Sequence, residues 1–321
     1  MRSLWREILF SIFMGMVVPA LLISFADMML TRREPAPTAP EETVEETKTI
    51  PMLLLQEDGM VSELDMEKYL VGVVLAEMPA SFEKEALKAQ AVVARTYTAK
   101  AYLTGGKHGN GGLCTQPSCC QAYIREEDYL QQGGREADVE KVCSAVAETA
   151  GIVVTYEGEL IESTYFSCSG GWTEDAVEVW GTDYPYLRSV ESPGEEKADY
   201  FTDTVTFTHE QLRDMLGKDL TGEPQKWFGD VAYTSGWGVK TMEIGGESYT
   251  GTQLRALLGL RSAAFSVAVM ENQIIFTTRG YGHRVGMSQY GADAMAAGGS
   301  SFAEILAWYY PGTTLAQLES E

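Results

Sequence analysis

The chain has 321 residues, of which 46 are Asp or Glu and 24 Lys or Arg, for a formal net charge of −22. Such an excess of acid argues against nucleic acid and anionic lipid surfaces as partners and suits a neutral polymer or a basic protein. Three of the five cysteines, Cys114, Cys119 and Cys120, crowd into one short stretch, so a framework of paired disulfides describes the chain poorly.

At the N-terminus, Arg2 and Arg6 precede an uncharged apolar run from Ile8 to Phe25, with Trp5 at an interfacial position. The run is long enough to span a bilayer, and no small-residue cleavage site follows "LLISFADMML". The expectation is an uncleaved single-pass anchor over 8–30, with residues 1–7 on the cytoplasmic side and the bulk of the chain outside. "EPAPTAPEETVEETKT" then supplies proline and glutamate with almost no apolar content, an extended acidic linker over 31–49.

"DMEKYLVGVVLA" predicts a helix from Asp65 to Ala76, with Tyr69, Leu70, Val73 and Val74 buried. Pro79 stops it, because proline disfavours helical geometry in the residue before it. Ser81 is the expected cap of a second helix, with Glu83 and Glu85 at its positive end and Phe82, Ala86, Ala89, Val93 and Tyr97 on its core face. The "EMP" corner leaves Glu77 at a helix C-terminus, where the dipole opposes an anion and favours the protonated carboxyl that a general acid needs.

A glycine-rich excursion follows, Thr104 to Tyr123, then a helix through "EADVEKVCSAVAETAG" and strands "GIVVTYEG" and "ELIESTYFS" about a turn at Glu157–Gly158. Between about 200 and 267, strand segments alternate with "HEQLRDMLG" and "GTQLRALLG", the pattern of an inserted, mostly β second lobe. The class is α+β: a large mixed domain, with the smaller lobe, behind a single transmembrane helix.

In the glycine-rich excursion, His108, Cys114 and Cys120 fall at regular five-residue gaps with Cys119 adjacent. An imidazole and thiolates on a flexible loop suit zinc, and on chemistry alone zinc and a Cys114–Cys120 disulfide stand level. "RGYGHRVGMSQYGA", from Arg279, lacks the spacing and context of a nucleotide loop. It reads as backbone brought close to another group, with Tyr281, His283, Gln289 and Tyr290 presented around it. A serine hydrolase built on Ser169 and His283 has no nucleophile elbow to stand on, and a hydrogen-bonded structural role for His283 stays open.

Taken together, "YLVGVVLAEMPASFEKEALKAQAVVARTY", "CTQPSCCQAY", "STYFSCSGGWTEDAVEVWG", "PYLRSVESPG", "RGYGHRVGMSQYGA" and "YYPGT" resemble the stage II sporulation protein D family, membrane-anchored peptidoglycan enzymes related to the amidase enhancers. One departure is Arg279, where another glycine is expected. The matching motifs run from about Met66 to Thr313, within a catalytic domain expected over 50–315, and imply a lytic transglycosylase that cuts glycan strands between N-acetylmuramic acid and N-acetylglucosamine, leaving a 1,6-anhydro end. The resemblance makes Glu77 the catalytic residue. It makes Arg95, Tyr97, Tyr165, Ser167, Ser169, Tyr281, His283 and Gln289 candidates for substrate contact. It also raises zinc above the disulfide, one ion per chain on His108, Cys114 and Cys120, while Cys119 stands where relatives often have histidine. The implied setting is the outer face of the membrane, in the intermembrane space of the sporangium during engulfment. The implied substrate is glycan stripped of stem peptides, with the amidase stage II sporulation protein P and the scaffold stage II sporulation protein M as partners. A non-enzymatic wall-binding amidase activator and a hydrolytic muramidase are the alternatives.

Overall fold

The computed structural model describes residues 50–55, 60–108 and 112–318. The expected anchor and acidic linker lie outside these residues. Among the described residues no helix is long and apolar enough to cross a membrane.

The fold mixes helices and sheets. Pro51–Leu55 pairs antiparallel with Val61–Asp65, and Leu54–Leu55 pairs parallel with Leu113–Cys114. Helix α1 (Met66–Glu77) begins where Asp65 accepts the Lys68 N–H at 3.1 Å. That capping bond satisfies one of the orphan donors of the first turn. Helix α2 (Lys84–Thr104) starts with Glu83, not Ser81, at its N-cap, and the Glu83 N–H is taken by Asp293 Oδ1 at 2.6 Å. From Ala89 to Thr96 every residue of α2 is buried, so it runs through the core instead of lying along its surface. Alanine-rich composition makes this possible, since small side chains let neighbours approach from all sides.

Around α2 pack α1, the helix Glu136–Ala147 and the C-terminal helices Gln289–Ala297 and Phe302–Tyr309. The strand Ile152–Tyr156 lies between Glu159–Leu160 and Thr314–Gln317, both antiparallel. Its turn to Glu159 has Glu157 and Gly158 at φ 51° and 87°, the left-handed pair that a tight two-residue hairpin requires. The rest of the expected strand "ELIESTYFS" shortens to Tyr165–Phe166, which pairs parallel with Met287–Ser288.

Residues 202–279 bury a second apolar cluster that includes Phe207, Leu212, Trp227, Leu254, Ile274 and Phe276. Two three-stranded antiparallel sheets supply it. One is Thr202–Thr208, Gln273–Arg279 and Phe265–Val269; the other is Phe228–Tyr233, Val239–Ile244 and Glu247–Thr250. The first sheet takes in residues well past 267, and its strand Gln273–Arg279 runs straight into the Gly280–His283 loop.

Candidate active site

Glu77 is the last residue of α1. Met78 then turns the chain into extended geometry, φ −130°, ψ 134°, ahead of Pro79, so the helix stops and its final side chain faces a cleft. Glu77 lines two cavities, of about 550 and 340 Å³, and is the only carboxylate among the described residues that line either. The smaller one shares Leu75, Ala76 and Tyr129 with a groove of about 1400 Å³, so the depression around Glu77 belongs to a longer track.

The Ala122 N–H donates to Glu77 Oε1 at 2.8 Å, and the Tyr165 and Gln289 side chains hydrogen-bond to the same carboxyl. Burial raises the Glu77 pKa above the ordinary carboxylate value, and the three hydrogen bonds offset part of that rise. The main cause is therefore desolvation, not the helix end on which the sequence argument leaned.

Tyr97, Tyr165, Ser167, Tyr281, His283 and Gln289 all line the larger Glu77 cavity. Gln121 Oε1, 3.2 Å from the Tyr165 hydroxyl, is the alternative acceptor for its single proton, and Gln121 Nε2 donates to Thr98 Oγ1 at 3.0 Å. His283 Nδ1 accepts the Val285 N–H at 3.1 Å, and the ring hydrogen-bonds to the Tyr165 backbone. Burial first, and the charge of Arg255 second, push its pKa down to about 4. His283 is thus a neutral imidazole whose bonds hold Tyr165 in place.

The glycines of this segment have a packing reason. A Cβ on Gly280 (φ 76°) would meet the Cys168 and Ser169 backbone, and one on Gly286 (φ 81°) would meet the Thr164 carbonyl. Backbone-to-backbone approach at these two points brings residues 281–289 against 165–169.

Two expected contact residues stand elsewhere. Arg95 is fully buried in the core. Its Nε and Nη2 donate to the two Glu67 oxygens at 2.7 and 2.6 Å, and its Nη1 donates to the Ile152 carbonyl at 3.1 Å. This fork ties α1 to α2 and to the strand that follows, and it gives no donor to the cleft. Ser169 is also fully buried; its Oγ and N–H both donate to Glu195 Oε2 at 2.8 Å. The same oxygen accepts the Gly170 N–H at 2.9 Å, and Glu195 Oε1 accepts from Ser192 and Ser288. Glu195 therefore clamps three loops behind the cleft, a role with no local mark in the sequence. A second buried clamp joins Arg284 to Glu174 at 3.0 Å and to the Trp172 and Gly236 carbonyls at 2.7 Å each.

His108, Cys114, Cys119 and Cys120 place their donor atoms within 4.8 Å of one another. Cys119 Sγ is 3.5 Å from His108 Nε2 and 3.9 Å from Cys120 Sγ. Ligands at zinc–sulfur distances of about 2.3 Å on a tetrahedron stand roughly 3.8 Å apart, so this donor set fits the ion. All five cysteines are free thiols. The three-residue set expected from spacing thus gains Cys119. The reason is a tight turn in which the Gln116 carbonyl accepts the N–H of both Cys119 (3.0 Å) and Cys120 (2.9 Å). Cys120, Gln121 and Ala122 also line the Glu77 cavity, so the loop that carries the thiols is one wall of the cleft. "CQAY" beside the last cysteine was the available signal for Gln121 and Ala122.

Comparison with known proteins adds sequence kinship to this geometry. Residues 56–156 match the family model described as SpoIID, stage II sporulation protein. Stage II sporulation protein D of Bacillus subtilis is 38% identical over 266 residues, covering 81% of this chain and 77% of that protein. Its counterpart in Bacillus amyloliquefaciens is 36% identical over 285 residues, covering 87% and 82%. The amidase enhancer of Bacillus subtilis is 31% identical over 304 residues, covering 77% of this chain and 40% of the enhancer.

Proposed function

This chain belongs to the stage II sporulation protein D family, and from that premise we propose that it is a lytic transglycosylase of peptidoglycan. The observation that carries the reading is the solitary carboxyl. Glycosidases that use water or a covalent intermediate set two carboxyls across the scissile bond. A transglycosylase takes the muramic acid C6 hydroxyl as its nucleophile, so one carboxyl serves in both half-reactions.

Glu77, whose protonated form burial favours, gives its proton to the glycosidic oxygen as the bond from C1 breaks. The resulting carboxylate then takes the proton of the C6 hydroxyl as that oxygen bonds to C1, closing the 1,6-anhydro ring and restoring the acid. Water is not consumed. Ala122, Tyr165 and Gln289 steady the anion between the two transfers.

Zinc held by His108, Cys114, Cys119 and Cys120 would crosslink their loop and order it. The loop from Cys114 to Ala122 then presents a fixed Ala122 N–H to Glu77 and a fixed Gln121 to Tyr165. The proposal places the domain outside the membrane during engulfment, tethered by the N-terminal apolar run. There it acts on strands cleared of stem peptides by the amidase stage II sporulation protein P, with stage II sporulation protein M as scaffold.

The kinship to the amidase enhancer favours a second reading, a wall-binding activator with no chemistry of its own. Mass spectrometry of denuded glycan incubated with the protein alone separates the cases. We expect 1,6-anhydromuramic ends that depend on Glu77. Reducing muramic ends would mean a hydrolase, and an unchanged glycan would mean an activator.

A further inference from the structure

A cavity of about 670 Å³ shares Tyr281 with the Glu77 cavity. Two arginines line it, and they differ in kind. Arg261 is committed: its Nε donates to Asp203 at 2.7 Å, and its guanidinium stacks on Tyr200 and Tyr281 at 4.7 and 5.1 Å from the ring centres. Its carbonyl also accepts the Gly282 N–H at 3.1 Å, which fixes the cavity wall to the cleft loop.

Arg255 is half-buried in the helix Gly251–Leu258, and among the described residues no carboxylate pairs with its guanidinium. Desolvation works against its charge, and that charge reaches His283 in the cleft wall. A half-buried cation without a counter-ion is costly anywhere. The one carboxylate lining this cavity among the described residues, Asp203, is already engaged by Arg261, so Arg255 is the cavity's uncommitted cation.

We propose that Arg255, beside Tyr281, is a specificity residue that seats a carboxylate carried by the sugar bound in the adjoining cleft. This rests on the glycan reading given above. In peptidoglycan the sugar's own carboxylate is the lactyl group of muramic acid. It is an anion only when no peptide is joined to it; a stem peptide turns it into an amide. A guanidinium grips a carboxylate with two parallel charge-assisted hydrogen bonds and has no comparable grip on a neutral amide. Arg255 would therefore sense whether the peptide has been removed.

The test is calorimetric titration of full-length protein in detergent, carrying Glu77→Gln so that ligand is not consumed. Three tetrasaccharides are compared: alternating N-acetylglucosamine and muramic acid with free lactyl carboxylates, the same with each carboxylate capped as a methylamide, and chitotetraose. With Arg255 intact the acid should bind about tenfold more tightly than the amide, the scale of one charge-assisted pair in a partly open site. Arg255→Gln should bring acid and amide together by weakening the acid far more than the amide or chitotetraose, and Arg255→Lys should keep part of the preference. Equal binding of acid and amide with Arg255 intact overturns the inference while leaving the glycan reading in place, and that comparison needs no substitution at Arg255. A preference that survives Arg255→Gln also overturns it. Binding of none of the three overturns it together with the glycan reading.

Discussion

Replacing Glu77 by glutamine isolates the proton from the shape. The amide keeps an oxygen for the Ala122 N–H, and the Tyr165 hydroxyl still has Gln121 Oε1 to donate to. Up to two hydrogen bonds, those from Tyr165 and Gln289, are disturbed, so the folding cost stays within about 2 kcal/mol. Catalysis has no such reserve, since no other carboxylate lines either Glu77 cavity among the described residues. The glycan cleavage rate should fall by about 10²–10⁴, the range for removal of a general acid–base.

Stability should respond to pH in the opposite sense. Burial raises the folded-state pKa of Glu77, so the protonated form carries its stabilising contribution. That contribution is complete below the unfolded-chain value, about 4.3, and is lost as pH rises through the raised folded value. The glutamine variant has no such loss. Its melting temperature should gain on the native protein as pH rises from about 4.3 through the raised folded value. Anhydro-product release by mass spectrometry and thermal melting across pH test both halves. Cleavage above about a tenth of the native rate, or a melting difference flat with pH, refutes the reasoning.

Arg95→Met should destabilise the fold by about 3 kcal/mol in urea titrations, because Glu67 and the Ile152 carbonyl lose their donor, while glycan affinity per folded molecule holds. A binding loss without a stability loss would restore Arg95 to the cleft. Cys119→Ser should lower the zinc content from about one ion per chain as measured by elemental analysis, whereas Cys143→Ser should not, since only Cys119 lies in the donor cluster. Full zinc retention by Cys119→Ser would make Cys119 a bystander. Glu195→Ala strands Ser169, Ser192 and Ser288 in a buried site and should cost about 3 kcal/mol or more; a change below about 1 kcal/mol would mean the loops repack.

The helical corner at Glu77 was legible because it is local: an apolar repeat, a proline, and a carboxyl between them. Glu157–Gly158 was legible for the same reason. Arg95 misled because the resemblance set it beside Tyr97 in one motif, whereas every residue of α2 from Ala89 to Thr96 is buried. Its true partner, Glu67, lies 28 residues away on another helix. Ser169 misled in the same way, with Glu195 26 residues further on. Spacing found His108, Cys114 and Cys120, but could not show that a turn at Gln116 curls Cys119 onto the same centre. The unpaired state of Arg255 is a fact about neighbours, and no window of sequence contains it.

The cleft is stitched from distant parts of the chain: Gln289 reaches Gln90 across 199 residues, and Asp293 reaches the start of α2 across 210. Contacts of that separation form late in folding, after neighbouring helices have paired. A polypeptide emerging from the ribosome therefore presents Glu77 long before Tyr165, Tyr281 and Gln289 arrive to desolvate it. Until then the carboxyl stays wet, without the burial that favours its protonated form. A chain clipped before Gln289 would remain so. On the proposed reading, vectorial synthesis withholds the catalytic acid until residues 281–289 have docked.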